Sequence, residues 1–233
     1  MFRGRRLALA MLVLGEFGFQ AAAQNTKDEF WPELGVYVQQ GSTTRLVFVD
    51  SFNQDQNTRN ATGAFTYYLD FALKPVLRPE LRWRHEALRS RYLTFRAGYQ
   101  YRTSFVNADS TSENRGIVEF ASRFSLPGEL VLADRNRGEF RFIKGQPFST
   151  RYRNRLRLDR DCRLGSFAFT PYVYDEIFYD TRYDAWNRNR YAIGVQVPSG
   201  AHVVIEPYLL RQNDSRSTPP HVDAFGITLN LYF

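Results

Sequence analysis

The side chains in this 233-residue chain that have chemistry to offer are overwhelmingly arginines, and their spacing is regular. Arg151, Arg153, Arg155 and Arg157 occupy alternate positions, as do Arg135, Arg137, Glu139 and Arg141. Arg82 and Arg84 share a parity with Glu80, and Arg188 and Arg190 repeat the pattern. Only Lys27, Lys74 and Lys144 are lysines. A guanidinium is planar, weakly hydrated and bidentate. Arginine without lysine therefore suits confined pairing with carboxylates, or recognition of anions, better than a solvated polybasic patch. The pI of about 9.6 accordingly does not point to nucleic acid, and no such partner is expected.

Other chemistry is thinly supplied. The histidines are His85, His202 and His221. A lipid hydrolase built into a barrel wall needs a histidine, a hydroxyl nucleophile and a polar orienter together. Only His221, near Ser215, Ser217 and Asp223, has such neighbours, and it follows Pro219-Pro220 where no strand would fix the geometry. Three scattered histidines and one cysteine, Cys162, have no metal-ligand spacing and allow no disulfide within the chain. Asp175, Glu176 and Asp180 suggest a cation site, but Arg182, Arg188 and Arg190 nearby make ordinary ion pairs the expected use. No enzyme activity, cofactor or metal is expected.

The arginines must be positioned by strands. Phe225, Ile227, Leu229, Leu231 and Phe233 alternate with Ala224, Gly226, Thr228, Asn230 and Tyr232, a period-two segment that ends the chain on phenylalanine. Leu93–Arg102, Val118–Leu126, Arg190–Val197 and Val203–Leu209 alternate likewise, and helical periodicity is absent after the first residues. Those first residues read as an export signal: Arg3, Arg5 and Arg6, an apolar run from Leu7 to Leu14, then Ala21-Ala22-Ala23 before Gln24. Residues 1–23 are the expected signal peptide and 24–233 the single mature domain, whose charge falls from +7 to +5 on cleavage. A mean hydropathy of −0.44 excludes helical spans but suits a barrel, because polar inward and apolar outward residues cancel.

An arginine facing lipid at mid-depth costs about 2–4 kcal/mol, so the arginine faces must point inward. The expected lumen residues are Arg82, Arg84, Arg96, Arg123, Arg135, Arg137, Glu139, Arg141, Arg151, Arg153, Arg155, Arg157, Arg188, Arg190 and Glu206. Asp134 and Asn136 would then face outward unless a bulge shifts the register. Leu126-Pro127-Gly128, Pro198-Ser199-Gly200 and Asp161–Gly165 read as tight periplasmic turns, and 103–114, 180–186 and 212–221 as longer outer loops. About eight strands follow residue 90. Turns at Gly41-Ser42 and Lys74-Pro75 would put four before it. The expected fold is all-β, a single antiparallel transmembrane β-barrel of about twelve strands, closed by the strand ending in Phe233. The total drops toward ten if either early stretch is one long bent strand.

FWPELGVYV, RYLTFRAGYQYR, LADRNRGEFRF, STRYRNRLRLDRD, PYVYDEIFYD and WNRNRYAIGVQV, with the LNLYF terminus, resemble a family of uncharacterised Gram-negative outer-membrane β-barrels with Arg-x-Arg strands. The resemblance covers most of residues 30–233 and implies the cell outer membrane as the location. It implies no activity and transfers no functional residue. More loosely, the arginine face is similar to that of small porins that pass acidic oligosaccharides. Leu231 and Phe233 resemble an insertion signal, so the expected partners are outer-membrane lipid, the barrel-assembly machinery and an acidic small solute or glycan. The expected function is a narrow anion-favouring channel. Alternatives are a closed scaffold barrel in envelope assembly or polysaccharide export, and an outer-membrane lipid hydrolase.

Overall fold

The computed structural model describes residues 26–58, 60–73, 91–105 and 111–233. The export signal, Gln24, the Lys74-Pro75 turn, Glu80, Arg82, Arg84 and His85 lie outside these residues. The described chain is all-β: β1 (Thr26–Gln39), β2 (Thr44–Asp55), β3 (Ala61–Ala72), β4 (Leu93–Ser104), β5 (Ser112–Leu126), β6 (Leu130–Ile143), β7 (Ser149–Arg160), β8 (Cys162–Leu164), β9 (Phe167–Asp180), β10 (Ala185–Ser199), β11 (Val203–Asp214) and β12 (His221–Tyr232). Eleven of them close into a ring in chain order, with β7 against β9 and β12 against β1. β8 stands outside the ring and pairs only with β9, Cys162 opposite Phe169.

The total of about twelve strands and closure by the C-terminal strand hold, but the distribution differs from expectation. Three described strands precede residue 74, because a turn at 56–58 inside a polar stretch separates β2 from β3, and the fourth strand expected before residue 90 lies outside the described residues. Asp161–Gly165 is not a tight turn. It extends into the small β8–β9 hairpin, which carries the free Cys162. With an odd number in the ring, the closing seam is parallel: Thr26 pairs with His221 and Tyr37 with Tyr232. The other ring pairings are antiparallel. Phe233 continues the seam, donating its N–H to Tyr37 O at 2.8 Å and accepting from Gln39 N at 2.7 Å.

Followed strand to strand from Thr26 and His221, the cross-strand partners run through Asn213, Asn189, Ile177, Asn154 and Asn136. They continue through Phe120, Phe95, Phe71 and Thr44 and return to β1 at Gln40, fourteen residues beyond the start. Such a stagger tilts strands by roughly 35–45° in closed barrels. The connections at 127–129 and 200–202 lie at the end of the ring that holds Phe233. Those at 181–184 and 215–220 lie at the other end, with Thr26.

Side chains alternate between two unlike faces. Phe65, Phe71, Phe95, Phe120, Phe140, Ile193, Leu209 and Phe225 are exposed on the outside. Inside, the ring is filled mainly by charged residues, with two small apolar clusters around Tyr172–Leu210 and Val47–Tyr68. Close packing there depends on glycine. A Cβ on Gly226 would run into the Tyr208 ring, and one on Gly98 into the Tyr68 ring and the Tyr67 carbonyl.

No bulge rescues Asp134 and Asn136, since β6 keeps unbroken register with both neighbours. Both point outward and are satisfied across the strand by Asn154 Nδ2, at 2.6 and 3.1 Å. The hydrogen bond removes part of the cost that a bulge was expected to avoid.

Candidate functional site

The interior of the ring is the site. Period-two alternation puts Arg151, Arg153, Arg155 and Arg157 of β7 on its inner wall, between the inner faces of β6 and β9. The arginines do not stand alone. Glu176 of β9 accepts from Arg135 at 2.6 Å, from Arg153 at 2.9 Å and from Arg155 at 2.9 Å, and Arg190 lies 3.9 Å away. Glu139 of β6 accepts from Arg151 at 2.5 Å and Arg153 at 2.8 Å. These two carboxylates are the hubs of the network, 0% and 1% exposed. Glu119 takes Arg137, Glu113 takes Arg115 and Arg141, and Asp70 takes Arg45 and Arg96.

Aromatic rings supply a second layer of contact. Arg157 stacks over Tyr172 at 3.8 Å, Arg155 over Tyr174 at 4.0 Å and Arg153 over Phe178 at 4.6 Å, so successive arginines of β7 each lie on an inner ring of β9. Guanidinium stacking of this kind is attractive through the ring quadrupole and strengthens away from water. Arg190 lies 4.8 Å from the Trp31 ring.

Between these side chains remains a cavity of about 430 Å³. Arg96, Arg123, Arg135, Arg137, Arg151, Arg153, Arg155, Arg157, Arg188, Arg190 and Glu206 all line it. Arg141 and Glu139 are buried in the inner wall behind it. The lining also includes Arg45, Arg102, Arg115, Glu33 and Glu119, beyond the expected lumen residues named above. Arg102 already stands on the polar parity of the Leu93–Arg102 segment, and extending the parity of Val118–Leu126 back to the start of β5 finds Arg115. Glu33 carries no signal, because it sits alone among apolar neighbours in FWPELGV. Thirteen arginines face the cavity against three glutamates, and Glu113, Glu139, Glu176, Asp70 and Asp214 pair with them from the wall, which leaves arginine in excess.

The other candidate groupings are dispersed. Asp175 faces outward, where Asn189 donates to it at 2.9 Å, while Glu176 and Asp180 face inward and are held by arginines. The hydrogen bond to Asp180 raises Arg182, in the turn after β9, above its ordinary value and keeps it charged. Of the three cations expected near this acidic cluster, Arg188 instead goes to Asp214. His221 Nδ1 meets Asn213 Oδ1 at 2.8 Å, and the Ser215 hydroxyl donates to the Asn187 carbonyl, so no nucleophile–base pair forms between them. His202 Nδ1 lies 2.6 Å from the Tyr232 carbonyl and its ring stacks on Phe233.

A closed ring of strands with an ion-paired interior defines a β-barrel class, and residues 51–223 match the family model described as protein of unknown function, DUF2490. The chain belongs to that family. Neither a curated protein nor a solved structure matches it.

Proposed function

We infer that the protein is an outer-membrane β-barrel of a Gram-negative envelope whose lumen is a narrow, anion-favouring passage for small acidic solutes or glycans. The observation that carries this reading is the excess of arginine over glutamate around the internal cavity. A low-dielectric wall around a positive chamber concentrates anions and disfavours cations. The outward belt of phenylalanine, tyrosine and leucine supports a lipid setting, as does the alternation that keeps every β7 arginine at 151–157 away from it. Within this reading the C-terminal end faces the periplasm and the export signal brings the chain there. The cavity falls in the ~300–1,000 Å³ range of small-molecule sites, so the passage suits one small solute at a time.

A second reading, a closed barrel that serves as a scaffold, draws on the Glu139 and Glu176 hubs. Ion pairs this dense fill much of a small lumen. Planar-bilayer recordings of the refolded protein separate the two. The passage reading expects discrete conductance steps, and silent membranes after verified insertion would leave the scaffold reading in its place.

A further inference from the structure

Among the described interior charges, two stand without a hydrogen bond or ion pair, Arg102 of β4 and Glu33 of β1, and both line the cavity. The local reasons differ. Arg102 lies directly across the ladder from Glu113, but that carboxylate is already held by Arg115 at 2.6 Å and by Arg141 at 2.5 Å. Arg102 feels Glu113 at a distance, without a hydrogen bond or ion pair, against the like charges of Arg115, Arg188 and Arg190. Glu33 has Ser51 and Thr228 as its ladder neighbours, neither a cation. It looks across the lumen toward Glu206 and toward Arg155, which Glu176 already holds. In an interior where other charges are matched, two unmatched groups of opposite sign in one chamber are the groups free to bind something else.

Resting on the passage reading, we propose that Glu33 and Arg102 are the specificity pair of the lumen and select a polyhydroxylated anion, an acidic sugar, over a simple anion. A guanidinium with no partner binds a carboxylate without first giving up an ion pair. A free carboxylate repels a bare anion, but it accepts hydrogen bonds from sugar hydroxyls, which a chamber of donors alone leaves unmatched. Trp31 and Tyr208, both only partly buried, put aromatic rings on the same lining. Specificity then comes as much from the repulsion at Glu33 as from attraction at Arg102.

The test titrates the full folded barrel in detergent micelles with D-glucuronate and, separately, with acetate. Binding is read by calorimetry and requires no current. The wild type binds glucuronate more tightly than acetate. Glu33→Gln weakens glucuronate by roughly tenfold, the worth of one charge-assisted hydrogen bond, while acetate binds as well or better. Arg102→Gln weakens both. Neither change orphans a partner, so both variants keep the ion-pair network. Equal wild-type affinities, no binding of either probe, or a Glu33→Gln effect in the same direction on both would overturn the proposal. Glucuronate binding by a barrel that does not conduct sinks the passage and leaves this site standing. Conduction without discrimination does the reverse.

Discussion

Glu176 illustrates what holds the interior together. Three arginines converge on one carboxylate that is fully shielded from solvent, and a fourth is close by. Burying ions costs several kcal/mol each, so the network contributes little net stability compared with an apolar core. Breaking it is another matter. Glu176→Gln leaves Arg155 without a counter-ion and Arg135 and Arg153 with only their contacts to Glu119 and Glu139, and should lower stability by about 3–5 kcal/mol. Urea titration of the heat-modifiable form measures this. The exposed Glu129, 3.9 Å from Arg160, is the control: its replacement by Gln should shift stability by no more than about 1 kcal/mol. Equal midpoints for the two variants would mean that Glu176 is not a hub. The same crowding makes charge reversal at Arg153 and Arg155 a poor probe of selectivity, because two new carboxylates would land beside Glu139 and Glu176.

At the scale of the element, glycine and the terminal strand decide whether the wall closes. Tyr208 of β11 lies over Gly226 of β12, where a Cβ has no room. Gly226→Val should therefore sharply reduce the folded, heat-modifiable fraction, and normal yield of that form would show that β12 packs otherwise. Phe233 adds two backbone hydrogen bonds to the seam and stacks on His202. Its deletion, or Phe233→Asp, should depress outer-membrane yield more than it perturbs the remaining strand, measured by fractionation and heat modifiability. Much of this was legible beforehand. β5, β7, β10 and β12 carry mainly polar or small residues on one parity of their middle stretches and mainly apolar ones on the other, so their faces follow from period two. β2 was opaque because Leu46-Val47-Phe48-Val49 is apolar at both parities, although Val47 is buried inside and Phe48 exposed outside. The turn at 56–58 was hidden by the polar residues on both sides of it.

At the scale of the whole molecule, the parallel seam is the feature that local pattern could not reveal, since it joins residues about two hundred positions apart. It sets Leu34 beside Leu229, both exposed on the outer face. In a Cys162→Ser background, Leu34→Cys with Leu229→Cys should oxidise to a covalently closed ring that migrates as a compact species even after boiling. A linear product under conditions that oxidise a control hairpin pair would mean that the first and last strands meet in another register. The seam also places Thr26 at the opposite end of the ring from Phe233, so β1 and β12 run the same way through the wall.

The arginine lumen, its carboxylate hubs and its two unmatched groups acquire a common purpose only if anions pass through the ring. The most direct measurement is the zero-current potential of the native protein in a planar bilayer separating two potassium chloride concentrations. The predicted potential has the sign set by chloride, and it moves toward zero when Arg102→Gln removes an unmatched cation while the barrel still folds. A native potential with the sign set by potassium would contradict the account, because no lumen with this charge distribution should favour cations.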